Sequence, residues 1–168
     1  MDTKHQHITH TLPPIFNQNS KIIILGTMPS TASRKNNIYY GHPQNRFWKV
    51  LAHIFDEPFP TTNVQKTEFA LKHKIALWDV LASCDIINSN DQSIKNPQVN
   101  DLNLILKQGN IQAIFTTGSK ASQLYKKYLK PIINLPHYEL PSTSPANCYH
   151  YNIEKLIESY QIILDYLK

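Results

Sequence analysis

The sequence predicts an α/β fold, a three-layer α/β/α arrangement around a central, mostly parallel four-stranded sheet. Two patterns lead there. Four short runs of apolar, often β-branched residues read as strands buried on both faces, and amphipathic periodicity fills the intervals between them. The composition agrees: 41% hydrophobic and 17% charged residues over 168 positions can build a core, and that length suits one domain burying roughly two-thirds of its unfolded surface. Eleven prolines against four glycines indicate many shaped loops. No internal repeat is present.

In chain order, residues 1–20 read as an irregular arm, and residues 21–168 as the single domain. Lys21-Ile22-Ile23-Ile24-Leu25 is the first strand, ending at Gly26. Phe47, Val50, Leu51 and Ile54 then recur at helical spacing. The second strand is Ile75-Ala76-Leu77-Trp78, followed by a helical face at Leu102, Ile105 and Leu106. Ala113-Ile114-Phe115-Thr116 forms the third strand, and Ala121, Leu124 and Tyr125 the next helix. The fourth strand, Tyr138-Glu139-Leu140, stops at Pro141. A last helix carries Leu156, Ile157, Tyr160, Ile163, Leu164 and Leu167.

Charge and cysteines narrow the function. Residues 1–55 hold six basic groups (Lys4, Lys21, Arg34, Lys35, Arg46, Lys49) against Asp2, so the net charge of +5 accompanies one part of the chain. Such an excess suits a polyanion through counterion release, although a solvated basic face without a partner is the commoner reading. Cys84 and Cys148 form no C-x-x-C pair, so neither a disulfide framework nor a zinc site is indicated. His5, His7 and His10 superficially suggest a metal tail, and a mobile arm is the preferred reading. No run approaches the roughly 18 apolar residues of a membrane span, and Met1 to His10 has no apolar run for a signal peptide. A cytoplasmic, monomeric protein is expected, without a membrane partner.

Ligands of parallel sheets bind at the carboxyl ends of the strands. Three segments leave those ends: Gly26 to Asn45, Asp79 to Asp101, and Pro141 to Asn147. The first, Gly26-Thr27-Met28-Pro29-Ser30 onward, offers backbone N–H groups but lacks the spacing of a P-loop or a dinucleotide fingerprint. Next comes Tyr39-Tyr40-Gly41-His42-Pro43-Gln44-Asn45-Arg46-Phe47-Trp48, in which aromatics, amides, a histidine and an arginine precede a helix. Phe47 and Trp48 read as core residues. Tyr40 is the candidate for stacking a base. Asn45 reads as a helix N-cap or as a functional amide, and His42 as a turn residue or a base contact. Leu140-Pro141-Ser142-Thr143-Ser144-Pro145-Ala146-Asn147 presents hydroxyls suited to phosphate oxygens or to capping the last helix. The segment Asp79 to Cys84 reaches the same end of the sheet without an assignable role, and no carboxylate pair has acid/base spacing. Neither a nucleophile elbow nor a phosphate loop occurs, which disfavours an esterase or nucleotide enzyme.

Together, Leu-Gly-Thr-Met-Pro-Ser (25–30), the block 39–48 and Leu-Pro-Ser-Thr-Ser-Pro-Ala (140–146) resemble the uracil-DNA glycosylase superfamily, and within it the DNA-deoxyinosine, or hypoxanthine-DNA, glycosylase branch. The His-Pro-x-Asn-Arg-Phe-Trp element is similar to that of mismatch-specific uracil-DNA glycosylases. Two positions depart from the common pattern. Met28 stands where most members carry an Asp or Asn for the catalytic water, and Leu140 where many carry a histidine that steadies the departing base. The resemblance places the catalytic amide in the second block, at Asn45.

It implies hydrolysis of the N-glycosidic bond of deaminated bases in DNA, hypoxanthine first, during base-excision repair. Gly26, Thr27, Met28, Tyr40 and His42 would bind the base. Ser30, Ser33, Ser142 and Ser144 would hold phosphates, with Thr143, Ser144 and Pro145 filling the gap left by the extruded base. The partner is then DNA containing deaminated bases, and no metal or organic cofactor is needed. A mismatch-specific uracil enzyme and a catalytically silent DNA binder are the alternatives.

Overall fold

The computed structural model describes residues 4–168. In chain order its elements are β1 (Gln6–Thr9), β2 (Ile22–Gly26), α1 (Thr31–Asn36), α2 (Phe47–Ile54), α3 (Asn63–Lys72), β3 (Ile75–Asp79), β4 (Leu81–Ile86), β5 (Lys95–Val99), α4 (Asn103–Leu106), β6 (Ala113–Thr117), α5 (Ser119–Tyr128), β7 (His137–Leu140) and α6 (Ile153–Tyr160). The four strands expected from the apolar runs form one parallel sheet in the order β3-β2-β6-β7. Every residue of β2, β3 and β6 is buried. Because side chains alternate across a strand, this means that both faces of the sheet are covered, as a three-layer α/β/α fold requires.

The helices follow their sequence patterns closely at α2, α5 and α6. The apolar stripe of α2 buries Phe47, Val50 and Leu51 and packs on α6. The final apolar face does not continue as one helix, since after Tyr160 the chain tightens into a 3₁₀ segment over Gln161–Tyr166. Leu102, Ile105 and Leu106 belong to a single short turn of helix. Two helices had weak patterns. α1 is only six residues long, and α3 has only Phe69 and Ala70 buried, so each is set mainly by its ends. Ser30 caps α1, and Thr62 with Gln65 forms a capping box on α3.

Among its described residues, the N-terminal arm is not irregular throughout. Gln6 to Thr9 pairs antiparallel with β4, and β4 pairs with β5, giving a second sheet of three strands. Further along, Ile15 bridges Leu77. Leu12 is buried in the core, and its carbonyl, like that of Pro13, accepts a hydrogen bond from the Tyr39 hydroxyl at 3.2 and 3.0 Å. The arm lacks the long apolar alternation that identifies a strand, because β1 is an exposed edge joined to the body through backbone pairing.

Candidate active site

β2, β3 and β6 end together, and their last residues, Gly26, Asp79 and Thr117, form the floor of a cavity of about 600 Å³. This is the size of a small-ligand site. Its walls come from the Gly26 to Asn45 segment on one side and from Ser142, Ser144 and Pro145 on another. Segments separated by more than a hundred residues therefore meet at one opening.

The first wall explains several residue choices. Gly26 and Thr27 turn their carbonyls to the N–H groups of Val80 and Leu81, at 2.8 and 3.1 Å. The N–H groups of Thr27 and Met28, which line the cavity, have no protein acceptor among the described residues. Met28 is half-buried against the core, so this turn offers the cavity backbone donors and no polar side chain at that position. Ser30 and Ser33 were expected at phosphates, and the structure gives them other work. The Ser30 hydroxyl accepts the Ser33 N–H and donates to Ser33 Oγ, and buried Ser33 Oγ accepts the Gly41 N–H at 3.0 Å. Ser33 is a loop staple at the cavity wall.

Tyr40 lines the cavity with one ring face stacked on Phe47, centroids 3.8 Å apart and planes 16° from parallel. Its backbone lies in the left-handed region (φ 55°), a costly conformation for a bulky residue that recurs at functional sites. The Tyr40 hydroxyl is 3.3 Å from Thr117 Oγ1, and burial together with the nearby Asp79 charge raises its pKa, keeping it a neutral phenol. His42 is exposed at the rim, where Nδ1 accepts the Gln44 N–H at 3.0 Å and Nε2 is left for a ligand.

Asn45 lines the cavity one residue before Arg46, the N-cap of α2. Its Oδ1 accepts the Phe47 N–H at 2.9 Å at the start of α2 and the Thr143 hydroxyl at 2.8 Å. A backbone N–H can only donate, so the atom facing it must be the oxygen, and Nδ2 is the end left free. Thr143 itself is buried and donates to Asn45, and its carbonyl accepts the Arg46 N–H at 3.2 Å. Here its side chain is enclosed by the protein, not presented at the cavity. Its position holds Asn45 instead.

Ser142 and Ser144 each accept one backbone N–H, from Ser144 and Ala146, at 3.2 Å. Each keeps its hydroxyl proton for an outside acceptor. The Arg46 guanidinium is turned inward, donating to the carbonyls of Tyr151 and Ser144, so this part of the basic excess clamps the loop rather than facing solvent. Lys35 does line the cavity and is exposed.

Two residues missed in the sequence complete the site. Asp79 ends β3 beside Gly26, and its carboxylate is almost wholly buried. His10, whose side chain is equally buried, donates from Nε2 to Asp79 Oδ2 at 2.8 Å. Burial raises the pKa of Asp79, while the hydrogen bond and charge of His10 pull the other way. The three arm histidines thus do not converge on a metal: His7 bonds Asp85, and His5 bonds the Ser93 carbonyl. The available signal was an acid closing a fully apolar strand next to the crevice. His10 carried no such mark.

Comparison with known proteins agrees with this arrangement. Residues 13–168 match the model of the uracil DNA glycosylase superfamily. A hypoxanthine DNA glycosylase of Methanosarcina barkeri is 34% identical over 140 residues, covering 80% of this chain and 85% of that protein. Another of that name, from Methanosarcina acetivorans, is 32% identical over 145 residues, covering 83% and 89%. A solution NMR structure described as a candidate uracil DNA glycosylase from M. acetivorans superposes with a TM-score of 0.79 at 28% identity, covering 95% of this chain and 99% of that one. With the family model matching nearly the whole chain and the parallel sheet opening on a pocket at its carboxyl edge, the protein belongs to the uracil DNA glycosylase superfamily.

Proposed function

We propose that the protein is a monofunctional DNA glycosylase that hydrolyses the N-glycosidic bond of deaminated bases, hypoxanthine above all, and so starts base-excision repair. The observation that carries this reading is the free Nδ2 of Asn45 at the wall of the base-sized pocket, its other end fixed by Phe47 and Thr143. The hypoxanthine DNA glycosylase relatives support the choice of base.

The target nucleotide must leave the helix to enter such a cavity, at a cost of a few kcal/mol that is smallest for a mispaired base. Once inside, the base lies against Tyr40, and the N–H groups of Thr27 and Met28 supply donors for its edge. Departure of the base leaves positive charge on the sugar and electron density on the base. Backbone donors oppose the second, and the DNA phosphates oppose the first. Asn45 does not titrate, so it is no general base. Its Nδ2 donates to the attacking water and fixes that oxygen toward C1′, which leaves a lone pair for the new bond, and the proton the water gives up passes to the departing, electron-rich base. The hydroxyls of Ser142 and Ser144 hold the flanking phosphates, with Pro145 beside them at the mouth. Among the described residues no helix is long and apolar enough to cross a membrane.

The test is base release from duplexes containing hypoxanthine, uracil or xanthine, followed by alkaline cleavage of abasic sites. Hypoxanthine is expected to be released fastest, and Asn45→Ala is expected to stop the reaction. Release of uracil alone would favour the mismatch-specific uracil enzyme. If no base is released, or Asn45→Ala matches the wild type, the proposed mechanism fails.

A further inference from the structure

Tyr160, the last residue of α6, stands outside the pocket lining and yet is joined to two of the pocket walls. Its side chain is wholly buried, at a position where phenylalanine or leucine would fill the space with no polar atom to satisfy. The hydroxyl donates to the Pro141 carbonyl at 2.7 Å, and burial raises its pKa well above the ordinary value, so it remains a donor. The ring meets Phe47 edge to face, with centroids 6.5 Å apart and planes at 74°.

Each contact leads to one wall. Leu140 is the last residue of β7 to pair in the sheet, so Pro141 is where the chain leaves the strand. The proline ring fixes φ there and the hydrogen bond from Tyr160 restrains ψ, so the direction of that exit is set at both backbone angles. Ser142 follows at the cavity, and then Thr143, which donates to Asn45 Oδ1 at 2.8 Å. On the other side Phe47 carries the Tyr40 ring on its face, with 3.8 Å between centroids. One buried side chain thus stands behind both the amide and the stacking ring.

We infer, building on the proposed function, that Tyr160 is a positioning residue: it sets the Asn45 amide and the Tyr40 ring at the separation that a stacked base and its attacking water require. A reacting geometry tolerates displacement of well under an ångström, so slack in either wall slows release. Tyr160→Phe keeps the ring behind Phe47 and frees the Pro141 carbonyl, which slackens the water-holding wall alone. Tyr160→Leu removes the ring as well and slackens both.

The test separates position from stability. Tyr160→Phe is compared with Tyr166→Phe, which breaks the hydroxyl pair with Tyr138 in the same C-terminal segment, away from the pocket. Single-turnover release from deoxyinosine duplexes is measured at saturating enzyme, well below the unfolding midpoint of each variant. The rate should fall by about tenfold or more in Tyr160→Phe, further in Tyr160→Leu, and stay within about twofold of wild type in Tyr166→Phe. A second readout needs no activity. The Asn45 side-chain amide signals, assigned by their absence in Asn45→Ala, should move in the proton–nitrogen correlation spectrum of Tyr160→Phe and hold in that of Tyr166→Phe. Equal rates in the two phenylalanine variants, or unmoved Asn45 signals in Tyr160→Phe, overturn the inference, since a merely structural role would not single out Tyr160. Should Tyr160→Phe fail to fold, 3-fluorotyrosine at position 160 alters the same hydrogen bond without removing it, and Asn45 signals that do not follow overturn the inference as well. If the wild type releases no base, the proposed function fails, and the spectra alone decide the role of Tyr160.

Discussion

Gly26 and Asp79 are register partners at the ends of β2 and β3, and the Asp79 carboxylate occupies the space that any side chain at position 26 would need. The glycine is required by this neighbour, not by backbone conformation. Gly26→Ala should push the carboxylate aside or lift the following turn. A displacement near 1 Å at a reacting site costs about 100-fold. Base-release rates should fall by that order while circular dichroism remains native.

Under the proposed mechanism, Asn45 separates stability from chemistry. Asn45→Asp keeps an oxygen for Phe47 N–H and Thr143 and removes the amide donor. Its unfolding free energy should stay within about 1 kcal/mol of wild type, while base release falls at least tenfold. Asn45→Ala loses both functions and should also lower stability by about 1 kcal/mol. Urea titration and single-turnover kinetics on the two variants check the distinction.

Arg46 and Lys35 make opposite predictions in salt. Lys35→Ala should reduce the slope of log affinity for DNA against log salt by about one, as loss of a phosphate contact does. Arg46 is spent on the carbonyls of Ser144 and Tyr151. Arg46→Ala should therefore leave the slope unchanged, and limited proteolysis should cut the 144–151 loop faster. Fluorescence anisotropy over a salt series measures the first effect.

Acid should weaken the fold through His137. Burial, together with Lys130, lowers its pKa from 6.5 to about 4, and its Nε2 is hydrogen-bonded with Thr116 Oγ1 at 2.8 Å. Between those pH values the unfolded chain binds the proton and the folded chain does not, so stability rises with pH across the window and is lost as pH falls through it. The thermal midpoint should drop between pH 6.5 and 4. His137→Gln should flatten that drop. Glu57, lowered by hydrogen bonds from Lys72 and His73, contributes in the other range: its stabilisation is present above the ordinary carboxylate pKa and lost below it.

The parallel sheet was legible because four buried strands need apolar residues on both faces, which no other local structure of that length explains as simply. β1, β4 and β5 were not. Residues such as Lys95, Asn96 and Gln98 are exposed and polar, and their strand is fixed by pairing with β4, to which no local pattern points. Asn45 and Tyr40 stood out because block 39–48 is chemically dense, and both line the cavity. The internal hydrogen bonds of Ser33 and Thr143 were not legible, since a hydroxyl looks the same in sequence whether it faces a phosphate or a buried amide. Asp79 needed the register with Gly26, and His10 needed the fold of an arm some seventy residues away in sequence.

In the proposed function Asn45 works from both ends, which narrows what selection can place there. Serine, threonine and aspartate can start a helix but offer Thr143 and the water no equivalent amide pair. Lysine, arginine and histidinium donate but cannot receive the Phe47 N–H. Glutamine has both groups on a longer stem that shifts them by a carbon–carbon bond. Drift at this position is thus confined from two sides, and a lineage that abandoned catalysis could still retain asparagine for the helix alone.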